Sequence, residues 1–314
     1  MAVTSGAAEA AIFDRARTRG RGIADHLRSF ATAARLGWQM EANWTDPLLF
    51  LIYSIAKPIS AALIFVVMIE VIGGRSAPGL RGFVVVGTAL WSFVLSGIAG
   101  IAWTVLDDRE RYRMLKYVYV SPSEFVVVLL GRGVARLAVG AMAALITVVV
   151  GVTALGVRFD PGRVDWPLFL VAMALGLVAI VAVGLALAAI CIQTRQEAWS
   201  YPEAAAGALF LVSGVVFPLN VLPAPAQIIA LVNPLTWWIE GTRRALFPDI
   251  ELSGIGGRAS TFATLSGHVL PNAGEIVFAL LLTGALVTLA SIVSFRLSDR
   301  RAKDRGLFDQ TTGS

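Results

Sequence analysis

The chain has 314 residues, of which 57% are hydrophobic and 15% are charged, with a mean hydropathy of +0.74 and a net charge of +5. Soluble domains carry about 25% charged residues, so this composition excludes an ordinary soluble domain and predicts an integral membrane protein. One cysteine and two histidines argue against a disulfide framework and a metal site. The basic residues border apolar stretches, which favours lipid headgroups over nucleic acid as their partner.

The amino-terminal region divides into two parts. Residues 1–21 are rich in small residues and arginine, which predicts a mobile cytoplasmic tail. Residues 22–46 are predicted to form an amphipathic helix that lies in the inner membrane interface, because apolar and small side chains recur at helical spacing, namely Ile23, Leu27, Phe30, Ala34 and Gly37 or Trp38. The alternative is a solvated helix that packs on another subunit.

Six apolar stretches follow, each near the roughly 20 residues that cross about 30 Å of hydrocarbon. They are Leu48 to Ile72, Phe83 to Leu106, Phe125 to Leu155, Pro167 to Ile192, Tyr201 to Leu222, and Glu275 to Phe295. The predicted fold is an all-α polytopic membrane protein whose transmembrane domain covers residues 47–296. Arg132 and Arg136, in the first turns of the third stretch, are expected to snorkel to the interface.

The distribution of positive charge predicts the orientation. An even number of spans places both termini on one side, and most lysine and arginine residues then fall in segments on that side. Since positively charged loops stay in the cytoplasm, both termini are expected to be cytoplasmic, including a carboxyl-terminal tail at residues 297–314. We expect a multi-pass protein of the cytoplasmic (inner or plasma) membrane of a bacterium.

Lys57 is predicted to lie about ten residues, or roughly 15 Å, into the first span. A charge at that depth is costly and often faces a cavity, which makes Lys57 a candidate for lining a substrate pathway. The alternative is that the span begins later and that Lys57 reaches the inner surface.

The segment from Ser213 to Arg244 is mostly apolar, yet it is interrupted by prolines. Proline lacks an amide proton and clashes with the preceding turn, so the fifth span is expected to stop at Pro218, Pro223 and Pro225. Asn233 is a candidate helix cap, with Pro234 at the first helical position. Two short helices, Ala224 to Leu231 and Pro234 to Phe247, are therefore predicted to dip into the outer leaflet, shielded by protein or a water-filled cavity.

The second short helix carries two further features. Trp237 and Trp238 are expected to be interfacial anchors, and Glu240 and Arg243 are spaced so that they can pair within a gate. The alternative for Glu240 and Arg243 is an ordinary surface pair. Residues 218–274 as a whole are predicted to form an outer re-entrant region that covers a pathway, and the insert after Phe247 contains no motif that we recognise.

Two groups of motifs occur in a distinctive order. Around the fifth span stand Ser213-Gly214, Phe217-Pro218, Leu222-Pro223, Asn233-Pro234-Leu235-Thr236 and Arg243. The loop between spans two and three contains Arg109-Glu110-Arg111, Met114-Leu115, Ser121-Pro122 and Gly131-Arg132. From about Leu27 to Phe295 the sequence resembles the membrane subunits of type-2 (ABC-2 type) ABC transporters, also called type V exporters. Tyr112-Arg113 replaces the Gly-Thr that is usual in that family.

The resemblance implies a mechanism. In such exporters two permease subunits, here expected to be identical, pair in the membrane. Two cytosolic P-loop ATPase subunits close on ATP and push a short coupling helix. By similarity that helix lies around Arg109 to Tyr119 within the loop 107–124, with ATPase-coupling candidates Arg109, Glu110, Arg111, Met114, Leu115, Tyr117, Ser121 and Pro122. The alternative is a charged loop that contacts inner-leaflet phosphates. The outer gate would comprise Ser213, Gly214, Phe217, Pro218, Pro223, Asn233, Pro234, Trp237, Trp238, Glu240 and Arg243.

The chain itself lacks a nucleotide-binding signature. Nothing resembles G-x-x-x-x-G-K-[ST], so this chain is expected to bind no cofactor, and ATP and Mg would sit on the partner ATPase. The sequence therefore predicts a permease subunit that is not itself an enzyme and that exports an amphipathic, lipid-linked or drug-like substrate. The competing predictions are a secondary transporter, which usually shows internal repeats that are not evident here, and a non-transporting membrane scaffold.

Overall fold

The computed structural model describes residues 22–42, 78–121, 123–194, 197–250 and 252–304, together with isolated positions between 48 and 71. In this part of the chain the long elements are helices, which we name in order: α1 (Ile23–Ala42), α2 (Pro78–Leu106), α3 (Leu115–Val120), α4 (Phe125–Thr153), α5 (Trp166–Gln193), α6 (Ser200–Val212), α7 (Ala224–Val232), α8 (Pro234–Leu246), α9 (Thr261–Ser266) and α10 (Ala273–Asp304). A π-helical turn, Asp107–Arg111, extends α2.

Within the described residues, four helices are long and apolar enough to cross a membrane. They cover Gly79–Arg111, Phe125–Thr153, Trp166–Gln193 and Ala273–Asp304. These helices match the predicted second, third, fourth and sixth spans. The first predicted span is described only at isolated positions, and the predictions for Lys57, Pro122 and the two terminal tails up to residue 21 and from residue 305 concern positions outside the described residues.

The prediction for the fifth span is wrong in its extent. Helix α6 has 13 residues and ends at Val212, whereas roughly 20 residues are needed to cross the bilayer. The chain leaves the helix at Gly214, whose φ of 65° lies in the left-handed region that glycine enters without steric cost. The Ser213 hydroxyl turns back and donates to the Leu209 carbonyl at 2.6 Å. A serine-glycine stop therefore ends the helix before the first of the three prolines.

The two short helices after this stop are confirmed to within one residue at each end. Helix α7 begins at Ala224 with a proline in its first turn. Helix α8 begins at Pro234, and the Asn233 side-chain oxygen accepts a hydrogen bond from the Leu235 amide at 3.1 Å, as expected of an N-cap. Their depth in the outer leaflet stays a prediction.

Helix α2 is the centre of the packing. It contacts α4, α5, α6 and α8, while α5 also packs against α8 and α10. Most side chains along α2 are buried, including Phe83, Val94 and Ile98. As a result, α2 lies between the helices that follow it in the chain, and its two ends meet different partners.

Helix α1 packs on α4 at backbone distance. A Cβ atom at Gly131 would lie 2.6 Å from the Phe30 carbonyl oxygen, and one at Gly37 would lie 3.0 Å from the Arg132 Cα. The surface of α1 that is not covered by α4 exposes large apolar side chains, namely Ile23, Leu27, Leu36 and Trp38. The predicted helix is confirmed, and the small residues Ala33 and Gly37 form its buried stripe against α4, because small residues permit this close approach. Its place in the inner membrane interface stays a prediction.

We predict that Gly131→Val destabilises the protein by about 1–3 kcal/mol, the usual cost of overpacking, because the added methyl groups meet the backbone of α1. Thermal unfolding of the detergent-purified chain, followed by its size-exclusion profile, measures the effect. Gly207→Val is the matched control, since no atom lies within 4 Å of a Cβ added at Gly207. Equal melting temperatures for the two variants would contradict the close packing of α1 on α4.

Candidate functional site

The carboxyl-terminal end of α2 widens into the π-helical turn Asp107–Arg111, in which the Tyr112 amide donates to the Asp107 carbonyl at 2.8 Å. Turns of this kind re-aim side chains and are frequent at functional sites. The turn carries the sequence Asp-Asp-Arg-Glu-Arg, and Asp108 and Arg109 within it are buried. The turn thereby directs a negatively charged side chain, Asp108, and a positively charged one, Arg109, into the protein.

The two aspartates of the turn bind the two arginines of α4. Asp108 forms a buried ion pair with Arg132. The Arg136 guanidinium donates to Asp107 at 2.7 Å and, through Nε, lies 2.9 Å from Glu41 of α1. The prediction that Arg132 snorkels to the interface is wrong, because Arg132 is buried and a buried charge requires a partner such as Asp108. Arg136 is 24% exposed, and its position relative to the interface stays a prediction.

Arg109 points in the other direction, towards the end of α5. Its Nη1 donates to the carbonyl oxygens of Cys191 and Thr194 at 3.0 and 2.9 Å, and its Nε lies 2.7 Å from Glu110 Oε1. A cation at a helix carboxyl terminus satisfies orphan carbonyls and complements the helix dipole. We name the whole set the π-turn network: Glu41, Asp107, Asp108, Arg109, Glu110, Arg132 and Arg136.

The chain that follows the π-turn network is partly exposed. Arg111, Tyr112 and Arg113 are exposed, and Arg113 adopts a left-handed conformation with φ of 51°. The predicted single coupling helix from Arg109 to Tyr119 is therefore two pieces, the π turn and α3, because the backbone reverses its twist at Arg113.

The predicted coupling residues divide into two groups. Arg109 and Leu115 are buried and Glu110 and Met114 are half-buried, so they contact this chain itself. Arg111 is exposed, and Tyr117 exposes 67% of its surface. The Ser121 hydroxyl donates to the Val118 carbonyl at 2.7 Å and so ends α3. A partner that docks on this loop would therefore contact Arg111 and Tyr117 rather than Leu115.

A second charged group lies on α8. Arg243 is 2% exposed, its Nη2 donates to the Gly214 carbonyl at 3.1 Å, and its guanidinium carbon lies 3.7 Å from the centre of the Phe83 ring of α2. Its Nη1 is 3.5 Å from Glu240 Oε2. Glu240 and Arg243 pair as predicted, and the surface-pair alternative is wrong because both residues are buried. Their role in a gate stays a prediction.

Polar side chains of α8 also bind the broken end of α6. Asn233 Nδ2 donates to the Ser213 hydroxyl at 2.9 Å, and the Thr236 hydroxyl donates to the Val212 carbonyl at 3.2 Å. Backbone groups left free by the end of α6 are thus satisfied by α8. Further along, Phe217 and Pro218 are half-buried, while Pro223 is exposed at the start of α7.

The prediction that the two tryptophans of α8 are interfacial anchors is wrong. Trp237 and Trp238 are 5% and 0% exposed. Trp238 stacks on Phe93 of α2 with ring centres 5.8 Å apart and lies against Gly176 of α5, while Trp237 Nε1 donates to the Leu231 carbonyl at 2.8 Å. Enclosure of α8 by α2, α5 and α10 explains the difference.

Several residues of these networks were not predicted from the sequence. Asp107 and Asp108 carried a usable signal, since adjacent carboxylates at the end of one span precede two arginines in the next. The sequence around Phe83 and around the insert residues Ser253 and Gly254 contains no signal that predicts their contacts. Within the described ranges, no group of His, Cys, Asp or Glu side chains is arranged to hold a metal ion.

A family model described as ABC-2 type transporter matches residues 33–247, which is more than half of the chain. The matched range includes both the π-turn network and α8, but it ends before the insert and α10. No curated protein matches the sequence.

We predict that Asp108→Ala lowers the free energy of unfolding by about 3–5 kcal/mol, because it leaves Arg132 buried without its carboxylate. The double variant Asp108→Leu with Arg132→Met should recover most of this loss. Chemical denaturation in detergent measures the free energy of unfolding of each variant. Asp249→Ala is the control, since its pair with Arg163 is largely exposed and should contribute at most about 1 kcal/mol. A small effect of Asp108→Ala alone would contradict the assignment of a buried pair.

Proposed function

The chain belongs to the ABC-2 type transporter family, and from this premise we propose that it is the membrane-spanning subunit of an exporter driven by ATP hydrolysis in a separate subunit. Members of this family are permease components rather than ATPases and associate with an ABC ATPase. We propose two ATPase copies, a second identical permease, and outward movement of an amphipathic, lipid-linked or drug-like substrate across the cytoplasmic membrane, with both termini on the cytoplasmic side.

The π-turn network is the observation that carries this proposal. It joins the exposed loop at residues 111–121 to four helices through short polar contacts, since α2 continues into the turn, Arg132 and Arg136 belong to α4, Glu41 to α1, and Arg109 binds the end of α5. A force applied to the loop therefore reaches these helices directly. A flexible loop would absorb such a force, whereas packed helices respond as rigid bodies.

Helix α2 extends this connection to α8. Its carboxyl-terminal end forms the π turn, and near its other end Phe83 contacts the Arg243 guanidinium. The 29 residues of α2 correspond to about 43 Å at 1.5 Å per residue. We propose that a tilt of α2 driven from the loop repositions α8 and the broken end of α6, and that this movement opens the outer side.

The distribution of charge supports the proposed substrate class. In the part of the chain that the structure describes, the buried charged side chains all belong to the π-turn network or to the Glu240–Arg243 pair. Each is already occupied by a partner within the chain. A substrate with a substantial apolar portion fits such surroundings better than a free ion, which would need unpaired charges or polar groups.

We predict that Tyr117→Asp lowers ATP turnover at least about fivefold, the lower end of typical coupling effects, because Tyr117 is a large apolar side chain that is 67% exposed on the coupling loop. Turnover is measured on the complex of the full chain with the P-loop ATPase that co-purifies with it. Melting of the chain should stay unchanged. Leu265→Asp is the control, since Leu265 is 75% exposed in the insert. Failure of any ATPase to co-purify, or unchanged turnover of Tyr117→Asp, would contradict the proposal.

A further inference from the structure

The outer insert, residues 248–274, lies beyond the family-matched range, yet it reaches the buried pair on α8. The Gly254 amide donates to Glu240 Oε2 at 2.7 Å, and the Ser253 hydroxyl donates to Glu240 Oε1. The Gly254 carbonyl accepts from the Leu219 amide at 2.7 Å. Both oxygens of the buried carboxylate are thus bound by the insert rather than by a neighbouring helix.

Gly254 fills the space between the pair and the broken end of α6. A Cβ atom there would lie 3.1 Å from Arg243 Nη1, 3.2 Å from Glu240 Oε2 and 3.3 Å from the Gly214 carbonyl oxygen. Contacts of this length leave little room for any side chain. The backbone of the insert is therefore part of the site, and a methyl group at this position requires one of these neighbours or the insert itself to shift by a few tenths of an ångström.

Ser253 uses its full hydrogen-bonding capacity. Its hydroxyl donates to Glu240 and accepts from the amides of Ile255 and Gly256 at 3.2 and 2.9 Å. Further along the insert, the Thr261 amide donates to Gln227 Oε1 of α7 at 2.7 Å. Ser253, which binds the Glu240 carboxylate, thus also shapes the turn of the insert. Binding to Glu240 and folding of this turn therefore depend on each other.

We propose that Ser253 and Gly254 form a latch, positioning residues that hold Glu240 and Arg243 on the broken end of α6 and keep the outer side closed until the insert separates. A buried carboxylate that loses its donors must take up water. The latch consequently has two arrangements, one dry and bound and one hydrated and released, without stable states between them. The role in closure rests on the proposed transport function, whereas the hold on Glu240 does not.

The test uses a buried reporter in the insert. Ile255 is 1% exposed, so Ile255→Cys in a Cys191→Ala background should react slowly with a membrane-impermeant maleimide on the full chain in lipid nanodiscs without nucleotide. Adding Ser253→Ala should accelerate labelling about tenfold, the scale expected for losing one hydrogen bond to a buried charge. Ser253→Thr should restore the slow rate. Gly254→Ala, which removes no hydrogen bond, should also accelerate labelling.

Ser266→Ala is the matched control, because the Ser266 hydroxyl donates to Phe262 within the insert and does not bind Glu240. Its labelling should stay slow. Melting curves identify any variant that does not fold. If Ser253→Ala does not fold, the labelling rate of Gly254→Ala tests the latch instead. Unchanged labelling in folded Ser253→Ala or Gly254→Ala would overturn the latch. Fast labelling of these variants, combined with no effect of ATP on the parent complex, would support the hold on Glu240 and contradict its role in transport.

Discussion

A charge buried among membrane helices requires a partner, and this requirement organises the described part of the chain. Asp108 pairs with Arg132, Arg109 binds Glu110 and the last carbonyls of α5, and Glu240 pairs with Arg243. Removing one member of such a pair costs far more than an exposed pair contributes. The buried charges therefore fix which helices are neighbours, while the apolar side chains fill the space between them.

Helix α2 owes its position to both groups of charges. At one end its π turn supplies the aspartates for α4 and the arginine for α5, and towards the other end Phe83 lies under Arg243. Small residues permit close packing of the surrounding helices, since Gly176 of α5 leaves room for the indole of Trp238 and Gly37 of α1 leaves room for the backbone of α4. Through these contacts α2 connects an exposed loop to the broken end of α6.

Much of the fold follows from the length and spacing of apolar residues. The four described spans, the Asn-Pro start of α8 and the i to i+3 pair of Glu240 and Arg243 all rest on local rules that the sequence displays. The predicted end of the fifth span is wrong because Gly214, in a left-handed conformation, stops α6 before any of the prolines.

The remaining errors have a common cause in long-range packing. Arg132 and the tryptophans of α8 were assigned to the interface because the sequence does not show which side chains from distant segments surround them. The contact of Gly254 with Glu240 involves a backbone amide, and a backbone amide has no residue signature. Contacts with distant segments thus determine the burial of these side chains, which hydrophobic periodicity does not predict.

The central claim is that the π-turn network makes the exposed loop and α4 move as one body. Pulsed electron resonance between spin labels at Tyr112, which is 38% exposed in the loop, and Leu145, which is 65% exposed on α4, tests it directly in the complex with its ATPase. The account predicts the same distance with and without ATP in the parent chain and a broadened distribution when Asp108 is replaced by Asn. A parent distance that shifts on ATP addition would show that the loop moves independently of α4 and would contradict the account.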